Sequence, residues 1–414
     1  MGMNPLKEKG TPLEKQVRSW NELNSKPYNR NEVHPYTRSR IMLMNGLETH
    51  QALFSHYLLR HNDNPEIREK ITLLRRIELQ QQKLINWLIP PEESLIEQAL
   101  GYEQAEVDLT AWLARTEPDT YVKSALNYGL LEDLDHLYRF ANLYDISENG
   151  DAEKIVGDLT EVLPGRPTAD QHQFPFDTIR RSVPLQKTNI LSKLHLVTMD
   201  SLEQQTMMFY MNAGNRISSP LGRGLFQEIA MAEEQHLTQY GSLNEPGPSA
   251  METFLLHQYN ECYLYHSCLE SETDSRVKNI WAQMLENEIE HVKTAAFLMQ
   301  KAEGRDPESV VPSKIPKLTI FDSNKEYIRA VLSEQVELTA LGEKYLPYSK
   351  LQADSQLHSY QKRVNSEGYI PSMQVVGENI RRNGQDYRIE SRGPHPLEGM
   401  RERNSVQRVM KNLF

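Results

Sequence analysis

The sequence predicts an all-α protein, and three observations carry that reading. Apolar residues recur at i, i+3 and i+4 spacing through eight long stretches. The second half of the chain repeats the first at a constant offset of 155 residues. The repeat preserves helix-start signals as well as apolar positions, so it copies whole helices.

Taken in order, residues 1–37 are polar and Pro-containing, and read as an extended arm with at most one short helix. Helices are expected at 38–60, 66–88, 94–115 and 119–145; Leu73, Leu74, Ile77, Leu84, Ile85 and Leu88 form one apolar stripe. Residues 146–185, rich in Pro, Gly and Asp, read as a linker. Four more helices are expected at 186–213, 218–241, 249–272 and 274–303. A Pro-containing linker over 304–321 leads to an amphipathic helix at 323–346. The tail from 365, with Arg381, Arg382, Arg388 and Arg392, is expected to be irregular and to wrap the surface or a partner subunit of a homo-oligomer. The domain reading is two tandem four-helix bundles, 38–145 and 186–303, between the arm and a 304–414 extension.

Composition narrows the function classes. The 414 residues are 38% hydrophobic and 25% charged, which is globular. No apolar run approaches the ~20 residues of a membrane span, and residues 1–10 carry no apolar stretch of signal-peptide type. Cys262 and Cys268 are the only cysteines, so a reducing cytoplasm is the default expectation. A net charge of −11 argues against nucleic acid as a general partner.

The repeat runs without a gap for about a hundred residues. Met44, Leu47, Glu48 and Phe54 match Met199, Leu202, Glu203 and Phe209; Asp119, Val122 and Lys123 match Asp274, Val277 and Lys278. Ser94 with Glu97 and Ser249 with Glu252 are both capping-box patterns.

Six polar residues of the second half have metal-ligand spacing: Glu203, Glu233, His236, Glu261, Glu288 and His291. Glu233–His236 and Glu288–His291 are the chain's two Glu-x-x-His sequences. At that separation both side chains leave one helix face, about 4.5 Å apart along the axis. One carboxylate on each of two helices plus a Glu-x-x-His on each of two others is the ligand set of dimetal carboxylate bundles. Four carboxylates offset the charge of two divalent ions, and hard oxygens with one imidazole per ion suit iron or manganese. The ordinary alternative, solvated surface residues, fits poorly with flanks such as Tyr259, Cys262 and Leu264.

On these residues, 187–303 resembles the ferritin-like dimetal-carboxylate superfamily of rubrerythrins, ferritins, manganese catalases and diiron oxygenases. The resemblance implies that Glu233 and Glu288 bridge the metals, that Glu203 and Glu261 are terminal, and that His236 and His291 cap one metal each. There is no Cys-x-x-Cys for a rubredoxin-type iron site, and Leu264 stands where rubrerythrins carry a further carboxylate. The arm, the linkers and the last hundred residues lie outside the resemblance.

The first-half copy is altered: Glu48, Glu78, Gln81, Glu106, Asp133 and His136. Gln81 replaces a histidine, and Glu103, one turn before Glu106, partly compensates. Two readings stand open for this copy, a weaker metal site or a hydrogen-bonded relic. Tyr210, Tyr259, Tyr263 and Tyr265 lie near ligand positions and read first as packing tyrosines.

The functional expectation is a dimetal oxidoreductase with two iron or manganese ions in the 186–303 bundle. It would activate O2 or peroxide, with an external reductant or by disproportionation that needs none. The alternative is a non-catalytic metal-binding or scaffold protein.

Overall fold

A computed structural model describes residues 2–184 and 187–384; Arg388 and Arg392 of the expected tail lie outside this range. The fold is all-α, as the periodicity requires. The long helices are α1 (Pro35–Arg60), α2 (Pro65–Asn86), α3 (Leu95–Thr116), α4 (Thr120–Glu148), α5 (Ile190–Ala213), α6 (Pro220–Leu243), α7 (Ala250–Ser271) and α8 (Ser275–Glu303).

Local chemistry sets their ends. Asn64, Asp119 and Asp274 cap α2, α4 and α8 by accepting backbone N–H bonds. Asn149 and Gly304, one repeat apart, close α4 and α8 in the left-handed region, at φ 51° and 65°. Ser94 and Ser249 accept from the amides of Glu97 and Glu252 at 3.1 Å each, so the serine half of each capping box forms. The Glu252 carboxylate instead binds Arg305 at 2.6 Å. A complete capping box occurs at Ser19 and Glu22 in the N-terminal segment.

The domain boundaries differ from the tandem reading. The first compact unit comprises the chain up to Glu93 with Val183–Gln205 and Asn244–Phe321. The second comprises Ser94–Ser182, Thr206–Leu243 and Asp322 onward. Each unit therefore takes one helical hairpin from each half of the sequence: α1–α2 with α7–α8, and α3–α4 with α6 and the end of α5.

Connection length explains the exchange. In the first unit Thr37 meets Glu272, whereas Gln51 meets His257, so α1 and α7 run antiparallel. Glu66–Lys301 and Gln81–Glu288 show the same for α2 and α8. In such a bundle the third helix starts at the end opposite to where the second stops. From Asn86 to Leu95 the connection reaches about 32 Å only when fully extended, no more than the length of α2, about 32 Å, and turns at Leu88, Ile89 and Glu93 shorten it further. A return of α3 to its own half would need a fully extended connection along the whole of α2, and the hairpin of the other half takes the place instead.

The segments expected to be an arm and a linker are folded onto the bundles. Leu13–Lys15 and Thr168–Gln171 form single turns, and Ala169 and Gln171 are buried. The helix expected at 323–346 stops early: α9 is Lys325–Gln335, and a hairpin of β1 (Leu338–Leu341) and β2 (Lys344–Pro347) follows, turning through Gly342 at φ 58°. After α10 (Gln356–Val364), the tail from 365 is not irregular throughout, because α11 (Pro371–Asn383) forms, and Val375 and Val376 are fully buried. In the second unit one apolar core joins α3, α4, α6, α9 and α11, holding the helices that carry the polar cluster. Among the described residues no helix is long and apolar enough to cross a membrane.

Candidate metal centre

Each unit encloses a cluster of buried acids, and the two clusters divide the expected ligand sets differently from the sequence reading. Glu203, Glu233 and His236 do not meet Glu261, Glu288 and His291. The first three join Asp133 and His136, whereas Glu261, Glu288 and His291 share the first unit with Glu48, Glu78 and Gln81.

In the second unit, Asp133 and His136 leave one face of α4, and Glu233 and His236 leave one face of α6. Ligand atoms of Asp133, Glu203, Glu233 and His236 all lie within 4.8 Å of one another, as do those of Glu103, His136 and Glu233. Glu233 belongs to both groups. Glu203 lies on α5, in the segment Val183–Gln205 assigned to the first unit. All these side chains are at most 2% exposed. Glu103 takes the place expected for Glu106, which is buried one turn further along α3 and in neither group. Among the described residues these are the only such groups, and Glu103, Asp133, His136, Glu233 and His236 all belong to the second unit.

The imidazoles are held from behind. His136 Nδ1 lies 2.8 Å from Glu233 and 3.8 Å from Glu103, and its Nε2 lies 2.7 Å from Gln171 Oε1. His236 Nδ1 faces Glu233 at 3.0 Å and Asp133 at 3.3 Å, while its Nε2 meets Glu132, which Arg166 holds at 3.0 Å. Gln171 donates its own Nε2 to the Arg166 carbonyl, which leaves its Oε1 as the acceptor for His136. Both rings thus donate outward and turn Nδ1 to the centre.

The charges are strained in opposite senses. Burial pushes Asp133 up to about 7 against the pull of His236, and lifts Glu103 well above the carboxylate range. Burial opposes a charge on His136, yet the facing Glu233 and Glu103 carry it up to about 10. Burial would also raise Glu233, but His136 and His236 hold it low. Neither Asp133 oxygen nor Glu103 Oε2 receives a hydrogen bond. Buried acids of this kind are costly without a counter-charge. Tyr210 donates to the other Glu103 oxygen. A cavity of about 430 Å3, lined by Tyr210, Arg223, Gly224, Gln227 and Tyr369, lies beside it.

The first unit solves the same problem with amides. Gln81 Nε2 donates to Glu48 at 2.9 Å and to Glu288 at 2.7 Å. Gln258 Nε2 donates to Glu78 at 2.9 Å and to Glu261 at 2.6 Å. Two carboxamides therefore bridge four carboxylates in pairs. Gln258 stands one repeat from Glu103, and Gln81 one repeat from His236. Burial raises Glu48 and Glu261 well above their usual range and Glu78 to about 7. Tyr265 donates to Glu48, so two of the four tyrosines near ligand positions bond a cluster acid. Tyr259 and Tyr263 bond the carbonyls of Lys314 and Lys317 instead. Cys262 and Cys268 are free and buried.

Sequence reasoning missed Glu132, Gln171 and Gln258. The signal was the offset itself, because Gly10, Pro12 and Gln16 recur as Gly165, Pro167 and Gln171, in segments read as arm and linker. Buried Asp, Glu and His groups able to hold a metal ion are present, and their donor set fits a hard divalent cation. Comparison of the chain with family models, curated proteins and solved structures found no match.

Proposed function

We propose that the second unit holds a dinuclear iron or manganese centre of ferritin-like type, and that the protein is an oxidoreductase acting on O2 or peroxide. The observation that supports this most is the sharing of Glu233 between two ligand groups. A carboxylate with two oxygens, common to two adjacent sets of donors, is the arrangement of a bridging ligand. Asp133, Glu203 and His236 would complete one position, and Glu103 and His136 the other. When bound, the ions would supply the electrons and open coordination sites that O2 or peroxide reduction needs.

The protein's own groups prepare this. His136 carries a proton on the nitrogen facing Glu233, and metal entry must displace it, so uptake releases protons and strengthens as pH rises. Complete burial of the acids excludes bulk water from the centre. Tyr210 fixes Glu103 and stands at the cavity, the route by which a small oxidant or organic substrate approaches. With no Cys-x-x-Cys iron site in the sequence, electrons would come from an external donor.

Elemental analysis with anomalous scattering tests the reading. About two ions per chain are expected, all in the second unit. Glu233→Ala should lose both and His236→Ala chiefly one. A metal-free protein from metal-replete cells would refute the centre. Metal present without any O2 or H2O2 consumption, whatever the reductant, would replace the oxidoreductase with a metal-binding protein.

A further inference from the structure

The second unit's histidines are not held by scattered contacts. One short strap, Gly165–Gln171, holds both. The Arg166 amide donates to the Leu131 carbonyl of α4 at 2.9 Å. A Cβ on Gly165 would collide with that carbonyl and meet the Asp135 amide at 2.9 Å, so only glycine lets the strap lie this close. Asp135 accepts from the Thr168 amide and hydroxyl at 2.7 Å each, fixing the turn. From this platform Gln171 reaches His136, and Arg166 reaches Glu132, which backs His236.

The first unit has the same strap one repeat earlier. Thr11 donates its amide to Glu286 at 2.9 Å, and a Cβ on Gly10 would meet that carbonyl and the Glu290 amide at 2.7 Å. Gln16 donates to the Thr11 carbonyl at 2.6 Å and meets His291 Nε2 at 2.7 Å. The amide half of the device is therefore duplicated. The charged half is not. Where the second unit has Arg166, Glu132 and His236, the equivalent positions are Thr11, Asn287 and Gln81. Asn287 donates to Gln81 at 2.7 Å, so this pair keeps its contact while all three positions lose their charge. Three positions from three separate segments have changed together, and only the unit with convergent ligands keeps the charged set.

We propose that the strap is the positioning device for both imidazoles, and that it makes the two metal positions unequal. This rests on the dinuclear reading above. An imidazole donating to a carboxylate is a stronger ligand than one donating to a neutral amide. His236, backed by Glu132 and Arg166, serves the position that also has Asp133, Glu203 and Glu233. His136, backed by Gln171, serves the position with Glu103 and the shared Glu233. The His236 position fills first and holds its ion more tightly.

Cobalt(II) titration of the metal-free full chain, followed by visible absorption and calorimetry, tests this. Wild type should bind in two steps at least about 10-fold apart. Glu132→Gln keeps the shape and an acceptor oxygen, and should weaken the first step by about 10- to 100-fold with the second nearly unmoved. Gln171→Glu gives His136 a carboxylate acceptor and should tighten the second step alone, bringing the two together, while the lost bond to the Arg166 carbonyl shows only in the melt. Thermal melts of the metal-free variants separate tuning from folding. Two equal steps in wild type, or two steps that neither variant moves, would overturn the inference and leave the dinuclear centre standing. So would a Glu132→Gln loss shared equally by both steps and matched by a lower melting temperature. No cobalt binding at all would overturn the dinuclear reading, and this inference with it.

Discussion

The two glutamines of the first unit stand where the second unit has metal-competent side chains, so exchanging them should convert one cluster into the other. The perturbation is Gln81→His with Gln258→Glu. In the parent, each amide donates to two carboxylates at 2.6–2.9 Å. Four such bonds at about 1–3 kcal/mol each amount to at most about 4–12 kcal/mol. That is comparable with the whole stability of a typical domain, about 5–15 kcal/mol. The new side chains recover part of it, but the carboxylate introduced at position 258 adds a fifth acid to a cluster whose Glu48 and Glu261 already resist ionisation through burial and mutual repulsion. The metal-free variant should therefore melt well below the parent. Each ion bound at 100 times its Kd returns about 2.7 kcal/mol, so manganese or cobalt should restore much of the loss. Elemental analysis should rise from about two ions per chain towards four. A variant that folds stably without metal and still binds only two ions would refute the idea that amide bridges replace metal here.

Three further outcomes follow from the geometry. Gly165→Val or Gly10→Val should destabilise the strap of its own unit, since even a Cβ at either position would run into backbone; only the Gly165 variant should also lose metal, which melts and elemental analysis read separately. Tyr210→Phe removes the donor to Glu103 at a cost of about 1–3 kcal/mol and should leave about two ions bound; loss of both ions would assign Tyr210 a role in the centre itself. His50 and His257, a half-buried edge-to-face pair, are held down to about 4 and about 3, by loss of solvent first and, for His257, by the neighbouring His50. The unfolded chain protonates them near 6.5, so stability is intact above that pH and falls as pH drops towards 4, by about 1.4 kcal/mol per unit for each group. Urea unfolding at pH 7 and pH 5 should show a loss about 4 kcal/mol smaller in the His50→Gln, His257→Asn variant; identical losses would refute the assignment.

The helices were legible because their signals are local. Ser94, Asp119, Ser249 and Asp274 act within one turn, and the apolar stripes need no knowledge of the partner. Partnership was not legible from ligand types, because a repeat offers two ways to assemble four helices. Glu261, Glu288 and His291 complete a plausible set with Glu203, Glu233 and His236, and an equally plausible one with Glu48, Glu78 and Gln81. Motif spacing is the same in both. What favours the second set is that 87–94 would have to run fully extended along α2 to serve the first, a constraint visible only once helix directions are weighed. The exchange also changes what the substitutions mean. Counted by halves, Gln81 damages one copy, and Gln258 in the other half looks ordinary. Counted by units, Gln81, Gln258, Asn287 and Thr11 all fall on one side, and His236, Glu103, Glu132 and Arg166 on the other. Four independent losses would scatter over both clusters. Their concentration in one cluster, each neutral residue still hydrogen-bonded there, is what the proposed assignment of the metal to the second unit requires: amides pair the acids in one cluster, and charged partners surround them in the other.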